Sequence, residues 1–219
     1  MGQEIDLLVN YPKTKRGVKD RGAEKTPQDR ALARQFGKDF FDGDRRHGYG
    51  GYNYNSRFWQ PVVPTFQEHF GITSSSSVLD VGCGKGFMLH DFRQIISGIT
   101  VKGLDISDYA INHAIDDVKE NLVVGDAKEL PFGDNSYDVV ISINTIHNLD
   151  RSGCAQALRE IERVSRGKSF ITVDAYRNDQ EREAMEAWNL TAKTMMHVNE
   201  WKEFFDEVGY TGDYYWFIP

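Results

Sequence analysis

Cysteine is scarce. The 219-residue chain holds two, Cys83 and Cys154, too few for a disulfide framework, and this points to a reducing, cytoplasmic setting. Long hydrophobic runs are missing as well. No stretch reaches the ~18–20 apolar residues that a membrane-spanning helix needs, so no membrane span is expected. Residues 1–10 carry Glu4 and Asp6 and lack the basic start of a secretion signal. Positive charge is outnumbered, 26 Lys and Arg against 33 Asp and Glu, for a net charge of −7. General nucleic-acid binding, which depends on a basic face, is therefore not expected. No group of His, Cys, Asp and Glu shows metal-ligand spacing, so no metal is expected either.

What is present is ordinary globular material. Hydrophobic residues make up 40% and charged residues 27%, which suits one domain with a modest extension. The charge is uneven: residues 11–46 hold eleven Lys and Arg against six Asp and Glu. Such a basic stretch reads either as a solvated, flexible segment or as an attractor of an anionic substrate or partner.

Residues 1–25 alternate charge with Pro12, Gly17 and Gly22 and show no apolar period, so they are predicted to be a mobile arm. Residues 26–73 form an N-terminal helical cap or lid. Thr26 is placed to cap a helix that starts at Pro27 and carries Leu32, Phe36 and Phe40 on one stripe as far as Gly43. A glycine- and tyrosine-rich turn follows over residues 48–55, then a short helix over 64–70 and a serine linker over 74–77.

Residues 74–219 read as the main domain. Short apolar runs rich in β-branched residues lie at 78–81, 100–104, 122–124, 139–143 and 170–173, with helical periods between several of them. Ser152 and Gly167 are placed to cap one of these helices. Trp201, Phe204, Phe205 and Val208 mark a last helix ending at Gly209, before a final strand over 214–218. Strands that are apolar throughout and alternate with helices predict an α/β fold, a doubly wound, Rossmann-like, mostly parallel sheet covered on both faces.

The sharpest feature is the run Val78-Leu79-Asp80-Val81-Gly82-Cys83-Gly84-Lys85-Gly86-Phe87. A strand enters a tight glycine turn and leaves as a helix, and glycines there let a ligand approach the backbone. Such a turn can also serve strand–helix packing alone. A dinucleotide fingerprint would place its third glycine at 87, where phenylalanine stands, which counts against a nucleotide-cofactor oxidoreductase. Gly103-Leu104-Asp105-Ile106-Ser107 ends the second strand with a carboxylate, and Val124-Gly125-Asp126-Ala127 ends the third with another. An aspartate at a strand end is also a common helix cap. Pro131-Phe132 and Ser136-Tyr137-Asp138-Val139-Val140 lead into the fourth strand.

Together these pieces resemble the class I S-adenosylmethionine-dependent methyltransferases, with motif I in the glycine turn, and are most similar to their small-molecule, ubiquinone/menaquinone-type members. The likeness spans roughly residues 60–215. It implies S-adenosyl-L-methionine as cofactor, with Asp80, Gly82 and Gly84 beside the methionine portion. It also implies Asp105 on the ribose hydroxyls, Asp126 on the adenine amino group and Asn144 beside the sulfonium. The implied activity is methyl transfer to a small-molecule acceptor, oxygen more than nitrogen. A protein or other macromolecular acceptor and a cofactor-binding module without turnover remain alternatives. The family usually ends in a β-hairpin; this sequence has one strand after its last helix, so an edge strand is missing or supplied otherwise.

In-line displacement from a sulfonium needs an aligned, deprotonated nucleophile. His147, after the fourth strand, is the candidate general base, or else a polar residue that shapes its loop. His197 is a weaker candidate, or a helix-end histidine. Asp174, Tyr176 and Arg177, leaving the fifth strand, are candidate substrate contacts. Tyr49, Tyr52 and Tyr54 are candidates for a hinged lid over the site, or for a tight turn packed on the core.

Overall fold

The computed structural model describes residues 2–13 and 25–219. Its helices are α1 (Pro27–Ala33), α2 (Lys38–Asp42), α3 (Val63–Phe70), α4 (Phe87–Ile95), α5 (Asp108–Asn112), α6 (Arg151–Val164), α7 (Asp179–Trp188) and α8 (Val198–Val208). Its strands are β1 (Ser77–Val81), β2 (Thr100–Asp105), β3 (Leu122–Val124), β4 (Val139–Ile143), β5 (Ser169–Tyr176), β6 (Met196–His197) and β7 (Asp213–Phe217). The order is β3-β2-β1-β4-β5-β6, β7 also pairs with β5, and each pairing is parallel.

Val78 lies opposite Val101 on one side and Val139 on the other, so β1 is central and buried from Val78 to Val81. The expected α/β, doubly wound class follows from this covering of both faces. On one face α6 and α8 pack Leu158, Ile161, Trp201, Phe204 and Phe205 against the sheet. On the other, α3 and α4 supply Phe66, Phe70, Leu89 and Phe92. The last helix ends as its sequence indicates, at Gly209 in the left-handed region (φ 79°). Both cysteines are buried free thiols. Among the described residues no helix is long and apolar enough to cross a membrane.

Several expectations need correction. The single apolar stripe from Pro27 to Gly43 is two helices. Thr26 does cap the first, with Asp29 completing a capping box. The chain then breaks at Phe36, which takes a left-handed φ of 50°, and its carbonyl accepts the Ser107 hydroxyl. Leu32, Phe36 and Phe40 keep a helical spacing in sequence, but the first helix ends at Ala33 and Gly37 caps the second. The N-cap of α6 is Asp150, whose carboxylate accepts from the Gly153 N–H at 2.8 Å, not Ser152. Its C-cap is Ser165, with Gly167 (φ 91°) lying in the turn beyond.

The largest correction concerns the N-terminus. Residues 2–13 are not a loose arm; the part of the predicted arm over 14–24 lies outside the described residues. Glu4 bridges Tyr214 in parallel fashion, with the Ile5 N–H donating to the Tyr214 carbonyl and the Tyr214 N–H to the Gln3 carbonyl, both at 3.0 Å. Leu7 is 2% exposed among Val62, Phe66 and Phe170. This bridge satisfies the outer backbone N–H and carbonyl of Tyr214 on β7.

Leu7→Ala is expected to lower the unfolding free energy in urea by about 2–4 kcal/mol. Val9→Ala two residues on, at a side chain 53% exposed, should change it by less than about 0.5 kcal/mol. Equal small effects would show that the segment contributes nothing to the core.

Candidate active site

Beyond the carboxyl end of β1 the sheet order reverses, β2 running to one side and β4 to the other, the point where ligands settle in open α/β sheets. The glycine turn lies there, between β1 and α4. Gly82 takes φ 88°, and a Cβ on it would lie 2.0 Å from the Thr145 hydroxyl oxygen at the end of β4. Only glycine fits that approach. Gly84, at φ 54°, is covered by the ring of Tyr52, whose Cε1 would stand 3.3 Å from an added Cβ.

Two carboxylates face this turn. Asp105, 8% exposed, accepts from the Gly84 N–H at 2.7 Å and from the Ser107 N–H at 2.9 Å. Burial pushes its pKa up, and those two bonds only partly oppose the rise. Asp80, 4% exposed, accepts no hydrogen bond among the described residues. Burial, and then the charge of Asp105, push its carboxyl up to about 8. Neither pKa rise is opposed by a neighbouring cation. A site of this kind suits a positively charged ligand that brings its own donors.

Asp126 lies just past β3 and is half-exposed. Its carboxylate accepts from the Lys128 N–H at 2.9 Å and pairs with the Lys128 ammonium at 3.3 Å. The Gly125 N–H donates to the Asp105 carbonyl at 2.9 Å, which ties the two acidic loops together. Ile106 and Val124, 55% and 52% exposed, leave apolar surface next to both acids in the chain.

Tyr49 and Tyr52 lie over the turn, with ring centroids 4.3 Å apart, and Tyr52 stacks on Phe87 at 4.8 Å. Burial first, with Tyr49, Tyr11, Asp80 and Asp105 adding to it, holds the Tyr52 phenol well above its ordinary pKa. Tyr54 does not join them. Its hydroxyl donates to the buried Asp91 at 2.7 Å, clamping the same loop to α4.

Asn144 takes φ 52° at the end of β4 and is locked to β5. Its N–H donates to the Thr172 carbonyl at 3.1 Å, and the Thr172 hydroxyl donates to its Oδ1 at 2.9 Å. From this pair opens a cavity of about 680 Å³ walled by Leu8, Tyr11, Tyr215 and Phe217, with Arg177 and Lys13 also lining it. Arg177 is the predicted substrate residue that reaches it.

His147 is placed differently from a general base. It is 4% exposed, and its Nδ1 accepts from the Asp174 backbone N–H at 2.9 Å. An amide can only donate, so the neutral ring carries its proton on Nε2, 3.6 Å from the Asp174 carboxylate. Burial lowers its pKa and Asp174 opposes that. No lone pair is left to accept a proton. The His147 carbonyl meanwhile accepts from the N–H groups of Lys193 and Thr194, both at 3.0 Å. The residue thus fastens the β4 loop to β5 and to the segment after α7. His197 caps α8: its Nδ1 accepts from the Asn199 N–H and its Nε2 donates to the Arg177 carbonyl. Tyr176 packs its ring edge to face with His197 at 5.7 Å.

Sequence reasoning missed Thr145, Thr172, Tyr11 and the wall formed by residues 6–13. It also passed over Lys85, although a cation set between two glycines of a tight turn is itself a signal.

Residues 79–173 match the methyltransferase domain family. A putative methyltransferase of Encephalitozoon cuniculi is 31% identical over 171 residues, covering 68% of this chain and 77% of that protein. The sterol 24-C-methyltransferase of Gibberella zeae is 33% identical over 122 residues, 51% of this chain but 32% of its own length. The chain therefore spans only about a third of that relative. Among solved structures, the putative methyltransferase in complex with the Trm112 methyltransferase activator of Haloferax volcanii superposes with a TM-score of 0.53. It is 20% identical and is covered over 90% of this chain and 77% of that one.

The raised pKa of Asp80 makes stability depend on pH. Its folded value lies above the unfolded ~3.9, so the stability tied to the neutral carboxyl is complete below pH ~4 and is lost as pH rises through about 8. Asp80→Asn removes that loss. Without ligand, the variant should gain on wild type by a few kcal/mol between pH 5 and pH 9. Thermal melts that run parallel across that range would contradict the assignment.

Proposed function

The chain belongs to the class I S-adenosylmethionine-dependent methyltransferases, and from that premise we propose that it methylates a small-molecule acceptor held in the cavity beside Asn144. The observation that carries this reading is the pair of buried carboxylates at the glycine turn. When bound, S-adenosyl-L-methionine supplies a methyl group on a positively charged sulfur, and its departure leaves a neutral thioether. Asp105 would accept from the ribose diol and Asp126 from the adenine amino group. Asp80, with the backbone of Gly82 and Gly84, would face the methionine portion, and Ile106 would give the adenine an apolar neighbour.

Asn144, held by Thr172 on β5, lines the acceptor cavity and follows β4, the strand beside β1, which supports reading it as the residue between acceptor and cofactor. Tyr11, Tyr215 and Phe217 offer the acceptor a rigid aromatic wall, and Arg177 a cation at its margin. These residues bind, orient and exclude water, which supports catalysis by alignment in a dry pocket. With both His147 nitrogens turned into the protein, an oxygen nucleophile acidic enough to ionise unaided suits the site best.

Calorimetry tests the cofactor reading. Asp105→Ala should weaken S-adenosyl-L-methionine binding at least about tenfold, because charge-assisted hydrogen bonds of ~1.5–3 kcal/mol each are lost. Gly84→Val should abolish it, since a branched side chain at positive φ strains the turn and strikes Tyr52. A folded Asp105→Ala protein with wild-type affinity would remove this carboxylate from the site.

His147→Ala should cost about 1–3 kcal/mol of stability, by leaving the Asp174 N–H unpaired. The pH profile of methyl transfer should keep its shape. A ~10²-fold or greater fall in rate, with loss of the limb near pH ~6.5, would instead restore His147 as the base.

A further inference from the structure

The glycine turn carries a buried cation with no part in the reading above. Lys85, between Gly84 and Gly86, is 6% exposed, and its ammonium is taken up by residues outside the turn. It reaches up into the cap. Its three acceptors are Asp42 Oδ2 at 2.7 Å, Asp42 Oδ1 at 3.0 Å and the Tyr52 carbonyl at 2.9 Å. An ammonium has three protons, so these partners match its capacity.

Asp42, the last residue of α2, is the centre of a wider knot. It also accepts from the Tyr52 N–H at 2.9 Å and from the Tyr109 hydroxyl at 2.8 Å. Burial would raise its carboxyl, yet Lys85, the Tyr52 N–H and Tyr109 together hold it below the usual range. Tyr52 is therefore gripped at both its backbone N–H and its carbonyl, one by Asp42 and the other by Lys85. Its ring is thereby set over Gly84 and against Phe87. Two further ties, Tyr54 to Asp91 and Ser107 to the Phe36 carbonyl, join the cap to the sheet domain elsewhere. Lys85 alone among these is part of the glycine turn itself.

We infer that Lys85 is a positioning residue for the cofactor: by holding Asp42 and Tyr52 it makes the cap and the glycine turn close as one unit. Whatever seats itself on the turn then also sets the cap, and a loosened cap lowers affinity for the cofactor without any change in the carboxylates that touch it. A buried pair that served stability alone would leave affinity untouched in any variant that still folds.

The test uses S-adenosyl-L-homocysteine as the probe and the full chain as the protein. Wild-type affinity is measured first, and its absence would count against the methyltransferase reading and not against Lys85. Lys85→Met should weaken binding about tenfold or more, and Lys85→Arg should recover most of the loss. Asp42→Asn, altered at the cap end, should behave like Lys85→Met, and the double variant should be no weaker than either single one. Hydrogen exchange supplies a readout apart from activity. The probe should protect the backbone amides of residues 49–54 in wild type and Lys85→Arg but not in Lys85→Met. Should Lys85→Met prove unfolded, the Asp42→Asn and Lys85→Arg measurements decide alone. Binding within twofold of wild type in a folded Lys85→Met or Asp42→Asn, additive losses in the double variant, or unchanged protection of residues 49–54 would each overturn the proposal.

Discussion

Asp80 and Asp105 are buried side by side with neither pKa rise opposed by a nearby cation, and the site is arranged around that cost. A lone ionised carboxylate in a protein interior is strongly disfavoured. Asp105 offsets the cost with two backbone N–H donors, one of them from the glycine turn, so the bond that steadies the carboxylate also fixes the turn. Asp80 has no such help and stays neutral to about pH 8. A positively charged ligand bound beside Asp80 would favour its ionised form.

Tyr52 covers Gly84, and its phenol lies near enough to Asp80 and Asp105 for both to add to its raised pKa. The ammonium of Lys85 is taken up by Asp42 and the Tyr52 carbonyl, and it is not among the influences on the pKa of Asp80 or Asp105. The acceptor cavity has a different origin. Its floor comes from the sheet at Asn144 and Thr172, and its walls from the two ends of the chain, residues 6–13 and 215–219. Pairing of Glu4 with Tyr214 brings those ends together, so the same contact that closes the sheet edge also shapes the cavity.

Much of this was legible in the sequence because it rests on local signals. The β-branched runs and the run from Asp80 to Gly86 fixed the sheet, the switch point and the place of Asp105 and Asp126, each a consequence of short-range spacing. The rest depends on contacts far apart in sequence. The burial of Leu7 in the core cluster that includes Phe170 leaves no periodic trace in residues 1–10, so the segment read as loose. At the break, the Phe36 carbonyl accepts from a hydroxyl 71 residues away. His147 looked like a base because it follows β4 at the right edge, yet its ring direction is set by an amide of β5. Position was readable there; orientation was not.

With its carboxyl raised to about 8, a protonated Asp80 should release its proton when the cationic cofactor binds. Calorimetric titration with S-adenosyl-L-methionine at pH 7, in two buffers of differing ionisation enthalpy, counts the protons released. Release should approach one proton per site and shrink toward zero above pH ~9, where the carboxyl has already ionised. Tight binding at pH 7 with no proton released would contradict this.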